Sequence, residues 1–157
     1  MKLRMKLDNR SMLLSAIILI VLLYLLRIST DIVSVCIIGF CIMVGCACAL
    51  FYMPMSITLN EKELCVNRSL WVKRIALNDI ASIELKEPEN QKARICGSAG
   101  WFGYWGWYKD SELGWYFVYS GSKYPEYLFI SLKDGRKYMI GCENPDEVLS
   151  HIKTYIV

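Results

Sequence analysis

Few side chains in this 157-residue chain could do chemistry, and they are scattered. His151 is the single histidine; it stands between Val148 and Ile152 at helical spacing, which reads as a helix-boundary residue rather than a general base. There is no G-x-S-x-G elbow, and neither Cys96 nor Cys142 has a histidine near it in sequence to activate the thiol. Asp79, Glu84, Glu87 and Glu89 are spread around one extended stretch, the pattern of a solvated strand edge rather than of a paired acid and base. Of seven cysteines, Cys36, Cys41, Cys46 and Cys48 fall in one apolar run and Cys65, Cys96 and Cys142 outside it. An odd number spread in this way reads as free thiols in a reducing compartment. Cys46-x-Cys48 has no neighbouring His or carboxylate to complete a metal site. The expectation is therefore no catalytic residue, no cofactor and no metal.

The most unusual segment has glycines at 97, 100, 103 and 106 and aromatics at 101, 102, 104, 105, 107 and 108. A glycine spacing of three matches neither G-x-x-x-x-G-K-[ST] nor a G-x-G-x-x-G that opens a helix, so nucleotide binding does not follow. Two readings stand. In one, the glycines permit tight bends and bulges while the rings fill a core or cover an edge. In the other, Arg94, Gly97, Ser98, Gly100, Trp101, Phe102, Gly103, Tyr104, Trp105, Gly106 and Trp107 are candidate partner or membrane contacts, with the three tryptophans as the contact surface. Arg94 and Lys109 bracket the segment; lipid phosphates could meet them, but each reads first as a solvated flanking charge.

The elements that must position this segment begin with two apolar runs. Residues 11–26 carry no charge, and residues 32–55 are almost all apolar. Both read as transmembrane helices, over about residues 11–28 and 32–55, joined by a tight loop in which Ser29, Thr30 or Asp31 caps the second. A signal peptide shares the basic start and apolar run, but no small-x-small cleavage pattern follows Leu26. Lys2, Arg4, Lys6 and Arg10 precede the first helix and Lys62, Arg68, Lys73 and Arg74 follow the second, against Arg27 alone between them. That asymmetry predicts a multi-pass protein of the cytoplasmic membrane with both termini cytoplasmic and residues 1–10 as a basic tail. Cys41, Gly45 and Ala49 form a small-xxx-small stripe on the second helix, a candidate packing seam against the first helix or against a second molecule. Residues 11–26 and 32–55 contain no Asp, Glu, Lys, Arg or His, which leaves an autonomous ion pathway without working parts.

From residue 56 the hydrophobic period changes to two. Alternation around Ile57, Leu64, Trp71 to Leu77, Ile83, Trp115 to Tyr119, Tyr127 to Leu132 and Lys137 to Ile140 predicts about seven strands, with a hairpin turn at Lys133-Asp134-Gly135-Arg136. Asn144, Pro145 and Glu147 then open a helix over about 145–156 whose face carries Val148, Ile152, Tyr155 and Ile156. Residues 56–157 hold 13 basic and 13 acidic side chains, a neutral balance that excludes a nucleic-acid binder.

The order of two N-terminal membrane helices, a strand starting at the membrane, the string Arg94-Ile95-Cys96-Gly97-Ser98-Ala99-Gly100-Trp101-Phe102-Gly103-Tyr104-Trp105-Gly106 and the closing Asn144-Pro145-Asp146-Glu147 helix resembles the bacterial pleckstrin-homology-like (bacterial PH) membrane proteins. The resemblance implies a membrane-anchored α+β protein: a helical hairpin followed by a PH-like antiparallel β-barrel or sandwich capped by a C-terminal helix. It implies no settled reaction, since such domains are known mainly as binding or assembly modules. Eukaryotic PH domains that hold phosphoinositides carry a basic loop between their first two strands; here that loop is Asn60-Glu61-Lys62-Glu63, whose two acids and one base do not suit a polyphosphate. The leading expectation is a non-enzymatic interaction module binding a protein partner, or copies of itself as a homo-oligomer, beside the lipid bilayer. Lipid or small-amphiphile recognition is the alternative, and a subunit of a membrane enzyme or transporter is a third.

Overall fold

In the computed structural model, which describes residues 2–5, 7–87, 93–124 and 126–156, each apolar run forms one unbroken helix. Helix α1 (Asn9–Ile28) starts at Asp8, whose carboxylate accepts from the Arg10 backbone N–H at 3.3 Å. It stops at Ser29, whose hydroxyl donates to the Leu25 carbonyl at 2.7 Å. Helix α2 (Ile32–Tyr52) is capped by Asp31, whose carboxylate accepts from the Ser34 backbone N–H at 3.0 Å and from the Ser34 hydroxyl at 3.1 Å. It ends three residues short of the expected position 55 because Pro54, which has no N–H to continue the ladder, opens strand β2 (Pro54–Leu59). Both helices are long and apolar enough to cross a membrane, and they leave most of their surface uncovered. A core helix of a globular protein would be covered.

Residues 2–4, expected within a basic tail, form strand β1 (Lys2–Arg4) and pair antiparallel with β2, Lys2 opposite Thr58 and Arg4 opposite Ser56. Met5, next in the chain, is buried and donates its N–H to the Met55 carbonyl at 3.0 Å. Strands β3 (Glu63–Arg68) and β4 (Val72–Ala76) complete a four-stranded antiparallel sheet in the order β1-β2-β3-β4. A 3-10 turn at Leu77–Asp79 leads into the second sheet.

That sheet contains β5 (Ile80–Lys86), β6 (Ala93–Ala99), β7 (Tyr104–Asp110), β8 (Gly114–Ser120), β9 (Tyr127–Leu132) and β10 (Lys137–Ile140), in the order β5-β9-β10-β8-β7-β6. The described strands number ten against about seven expected. The additions are β1 and the β6–β7 hairpin, where glycines and a basic tail hide the alternation. The expected all-antiparallel sheet also has one exception. The chain leaves β8 and returns as β9 one place further along, so β10 fills the vacated slot parallel to β8, with Tyr138 opposite Phe117. The two sheets face each other as an open sandwich rather than a closed barrel.

The core lies between the sheets and helix α3 (Pro145–Ile156), with Ile57, Leu64, Val66, Leu128, Ile130, Ile140, Val148 and Ile152 at its centre. Val148 and Ile152, four apart, share the inward face of α3 as expected. Tyr155, expected on that face, is instead 46 % exposed beside the β2–β3 turn, one turn of helix further along. On the other face of the second sheet Tyr108, Tyr116, Val118, Phe129 and Met139 form a separate cluster. The sheet thus carries apolar side chains on both faces, those of the outer face packed on one another.

Candidate functional site

The glycine-aromatic segment is the β6–β7 hairpin, and its glycines are demanded by close approach. Gly97 and Gly106 pair directly across the two strands, with φ of 134° and 138°. A Cβ on Gly97 would lie 2.2 Å from the Trp105 carbonyl oxygen, and one on Gly106 would lie 2.2 Å from that of Cys96. No other residue fits either place.

The hairpin tip docks on the two helices. Gly100 donates its N–H to the Gly103 carbonyl at 3.0 Å, and the Ser98 hydroxyl donates to the Trp101 carbonyl at 2.7 Å. The Phe102 N–H donates to the Ser15 hydroxyl of α1 at 2.9 Å, and that hydroxyl donates to the Ser11 carbonyl at 2.7 Å. Ser11 and Ser15, one turn apart near the start of α1, are buried here. The Trp101 indole lies over Gly45 of α2, where a Cβ would stand 3.1 Å from the ring. The small-residue stripe is therefore not a single helix–helix seam: Gly45 admits an indole from the sheet, Ala49 is buried and Cys41 is exposed.

One step down the hairpin, Trp105 is buried and stacks on Tyr52, the last residue of α2, with ring centroids 5.1 Å apart and 15° between planes. The Arg68 guanidinium sits 5.6 Å from the Tyr52 ring centre and 5.7 Å from that of Tyr119. Burial pushes the Tyr119 phenol up to about 12, with Arg68 pulling the other way. The Leu70 N–H donates to the Leu50 carbonyl at 3.2 Å, which ties the β3–β4 turn to the end of α2. Helices and sheets thus form one body without a linker.

These contacts divide the sequence candidates. Ser98, Gly100, Gly103, Trp105 and Gly106 are buried, and Trp101 and Phe102 are half-buried against the helices. Tyr104 is half-buried with the Lys123 ammonium 5.9 Å from its ring centre. Arg94, Gly97 and Trp107 are exposed. Trp107 is 45 % exposed and edge-on to Phe117 at 5.2 Å. Burial raises the pKa of Tyr108, which lies opposite Arg94 and is partly offset by that charge. His151 is exposed on α3, and among the described residues no three His, Cys, Asp or Glu side chains converge as metal ligands.

Sequence reasoning passed over Ser11 and Ser15, although two serines four apart in an apolar helix were a readable sign of a polar partner. It also started the third strand at Trp71, whereas β4 begins at Val72. The β3–β4 turn instead presents Leu70 and Trp71 at 57 % and 63 % exposure beside the end of α2.

A family model described as bacterial PH domain matches residues 55–156. Comparisons with curated proteins and with solved structures give no match. The match covers both hairpins of the first sheet, the whole second sheet and α3, so the chain belongs to the bacterial PH domain family.

Proposed function

We propose that this protein is a non-enzymatic, membrane-anchored interaction module that presents the β6 edge to a protein partner or to a second copy of itself on the cytoplasmic face. One observation carries the reading: β6 ends its sheet with no described strand on its outer side, and every residue from Ala93 to Ala99 except Ser98 is exposed. Ile95, 52 % exposed, and Trp107 on the neighbouring strand supply apolar anchors beside an edge with no described strand on it, the combination that strand addition uses. Trp101 and Trp105 serve a different end, fastening this edge to the helices. The pairing of β1 with β2 supports the topology, since a two-span hairpin returns both its ends to one side.

Native mass spectrometry of the full-length protein, extracted gently from its own membrane, tests this reading. The wild type should carry a reproducible second protein or form a defined oligomer. Ile95→Asp combined with Trp107→Ala should reduce that complex at least about tenfold, the ~1.4 kcal/mol or more expected for interface anchors. A complex untouched by the double variant, or a wild type that is monomeric throughout, would sink the proposal.

A further inference from the structure

Cys46, Ala49, Leu50 and Met53 recur at spacings of three and four on α2, and together with Phe102 they line a crevice of about 280 Å³. Every lining side chain is apolar. That volume is just under the range of ~300–1,000 Å³ typical of small-molecule sites, so it suits a segment of chain better than a folded partner.

Phe102 is the informative residue. It holds a φ of 52°, the one positive value among described residues other than glycine. A bulky side chain in that region costs roughly 1–3 kcal/mol, which Gly or Asn would avoid. The strained position aims an aromatic ring at the crevice, so the ring has a use there.

Depth supplies the second argument. The tip touches Ser15 and Gly45, which at ~1.5 Å per residue lie roughly 10 Å inside the ends of α1 and α2 nearest the sheets. The polar zone of one leaflet is only ~5–8 Å thick, so the tip reaches the headgroup–acyl boundary. Irregular backbone survives at that depth only where the protein satisfies it. Four backbone groups of the tip are satisfied by the protein, through the Gly100–Gly103, Phe102–Ser15 and Ser98–Trp101 hydrogen bonds. Leu50, which lines the crevice, and Met43 and Phe40 further along α2 are 48 %, 61 % and 61 % exposed. The crevice therefore continues the apolar outer face of the helix.

We propose that the crevice holds one acyl chain of a bilayer phospholipid, with the Gly100–Gly103 tip immersed beside it. The inference rests on the reading of α1 and α2 as membrane spans and is independent of the β6 edge.

Full-length protein in phosphatidylethanolamine–phosphatidylglycerol vesicles, doped with a phospholipid that carries a photoreactive diazirine in its acyl chain, tests it by peptide mapping. Label should appear on both helices and on the tip peptide and be absent from the Asp134–Arg136 turn. Phe102→Asn, which relaxes the backbone while removing the ring, should lower tip labelling at least about fivefold, the ~1 kcal/mol of a lost apolar contact. Ala49→Leu, which fills the crevice from the helix side, should do the same. Labelled helices with an unlabelled tip, or tip labelling unchanged in both variants, would overturn the lipid site while leaving the spans in place. Unlabelled helices would overturn the spans and the lipid site together.

Discussion

Gly97 and Gly106 show what single residues decide here. Each holds a positive φ and faces a carbonyl oxygen that a methyl group would strike, so Gly106→Ala should cost about 2–4 kcal/mol and lower the melting temperature by several degrees. Gly135→Ala, at a φ of 86° but with open space around it, should cost about 1 kcal/mol. Equal losses would mean that crowding between β6 and β7 contributes nothing. Buried titratable groups set a second expectation. Burial moves the Cys142 thiol from 9.0 and the Tyr119 phenol from 10.0 up to about 12. Both values are raised by folding, so the stabilisation is complete below the unfolded value and is lost as the pH climbs toward the folded one. The melting temperature should hold steady to pH 9.0 and then fall toward pH 12, and Tyr119→Phe should flatten the decline above pH 10.0. A profile that stays level to about pH 11 would contradict this account. At this scale the composition was readable and the direction of each ring was not. Trp101, Trp105 and Trp107 alternate along one hairpin, yet one lies on Gly45, one is buried on Tyr52 and one faces solvent.

Among the elements, β1 changes the practical boundary of the domain. The family match begins at residue 55, but β2 has Lys2–Arg4 on its outer edge and Met5 packed into the core beneath it. A fragment of residues 56–157 would lack β1, Pro54 and the Tyr52 ring that Trp105 stacks upon. It should aggregate or melt without cooperativity where the full-length protein melts sharply, because an uncovered strand edge and an opened core come with it. A fragment that melts as sharply as the full chain would show β1 to be dispensable. In the full chain, Met5→Ala should cost about 2–4 kcal/mol by denaturant unfolding. Seven strands, both long helices and α3 were legible from period and caps, since each alternates or turns with its own regularity. The three missed strands have local reasons. Lys2, Leu3 and Arg4 are too few to show alternation, and glycines interrupt it throughout β6 and β7.

At the scale of the whole molecule, the absence of a linker makes the hairpin and the sandwich one unit. Trp101 over Gly45, Trp105 on Tyr52, Phe102 to Ser15 and Leu70 to Leu50 are four separate fastenings. Gly45→Leu should expel the Trp101 indole and loosen the tip without disturbing the core. Amide exchange across residues 98–104 should then rise about tenfold or more while β9 stays protected. Exchange that rises equally in β9 would mean that the fastening and the core melt together.

Period, charge and caps determined, from the sequence alone, two apolar helices, a β domain and a closing helix, while the PH type of that domain rested on the resemblance of its motif string to the bacterial PH family. Those features arise from contacts only a few residues apart. Tertiary structure decided the rest: which tryptophans are spent on the helices, why Gly45 is small, where β1 pairs and which edge stays open. Each of those depends on residues far apart in the chain, as Ser15 and Phe102 are, meeting at a few ångströms. Spacing along a sequence carries no record of such distances.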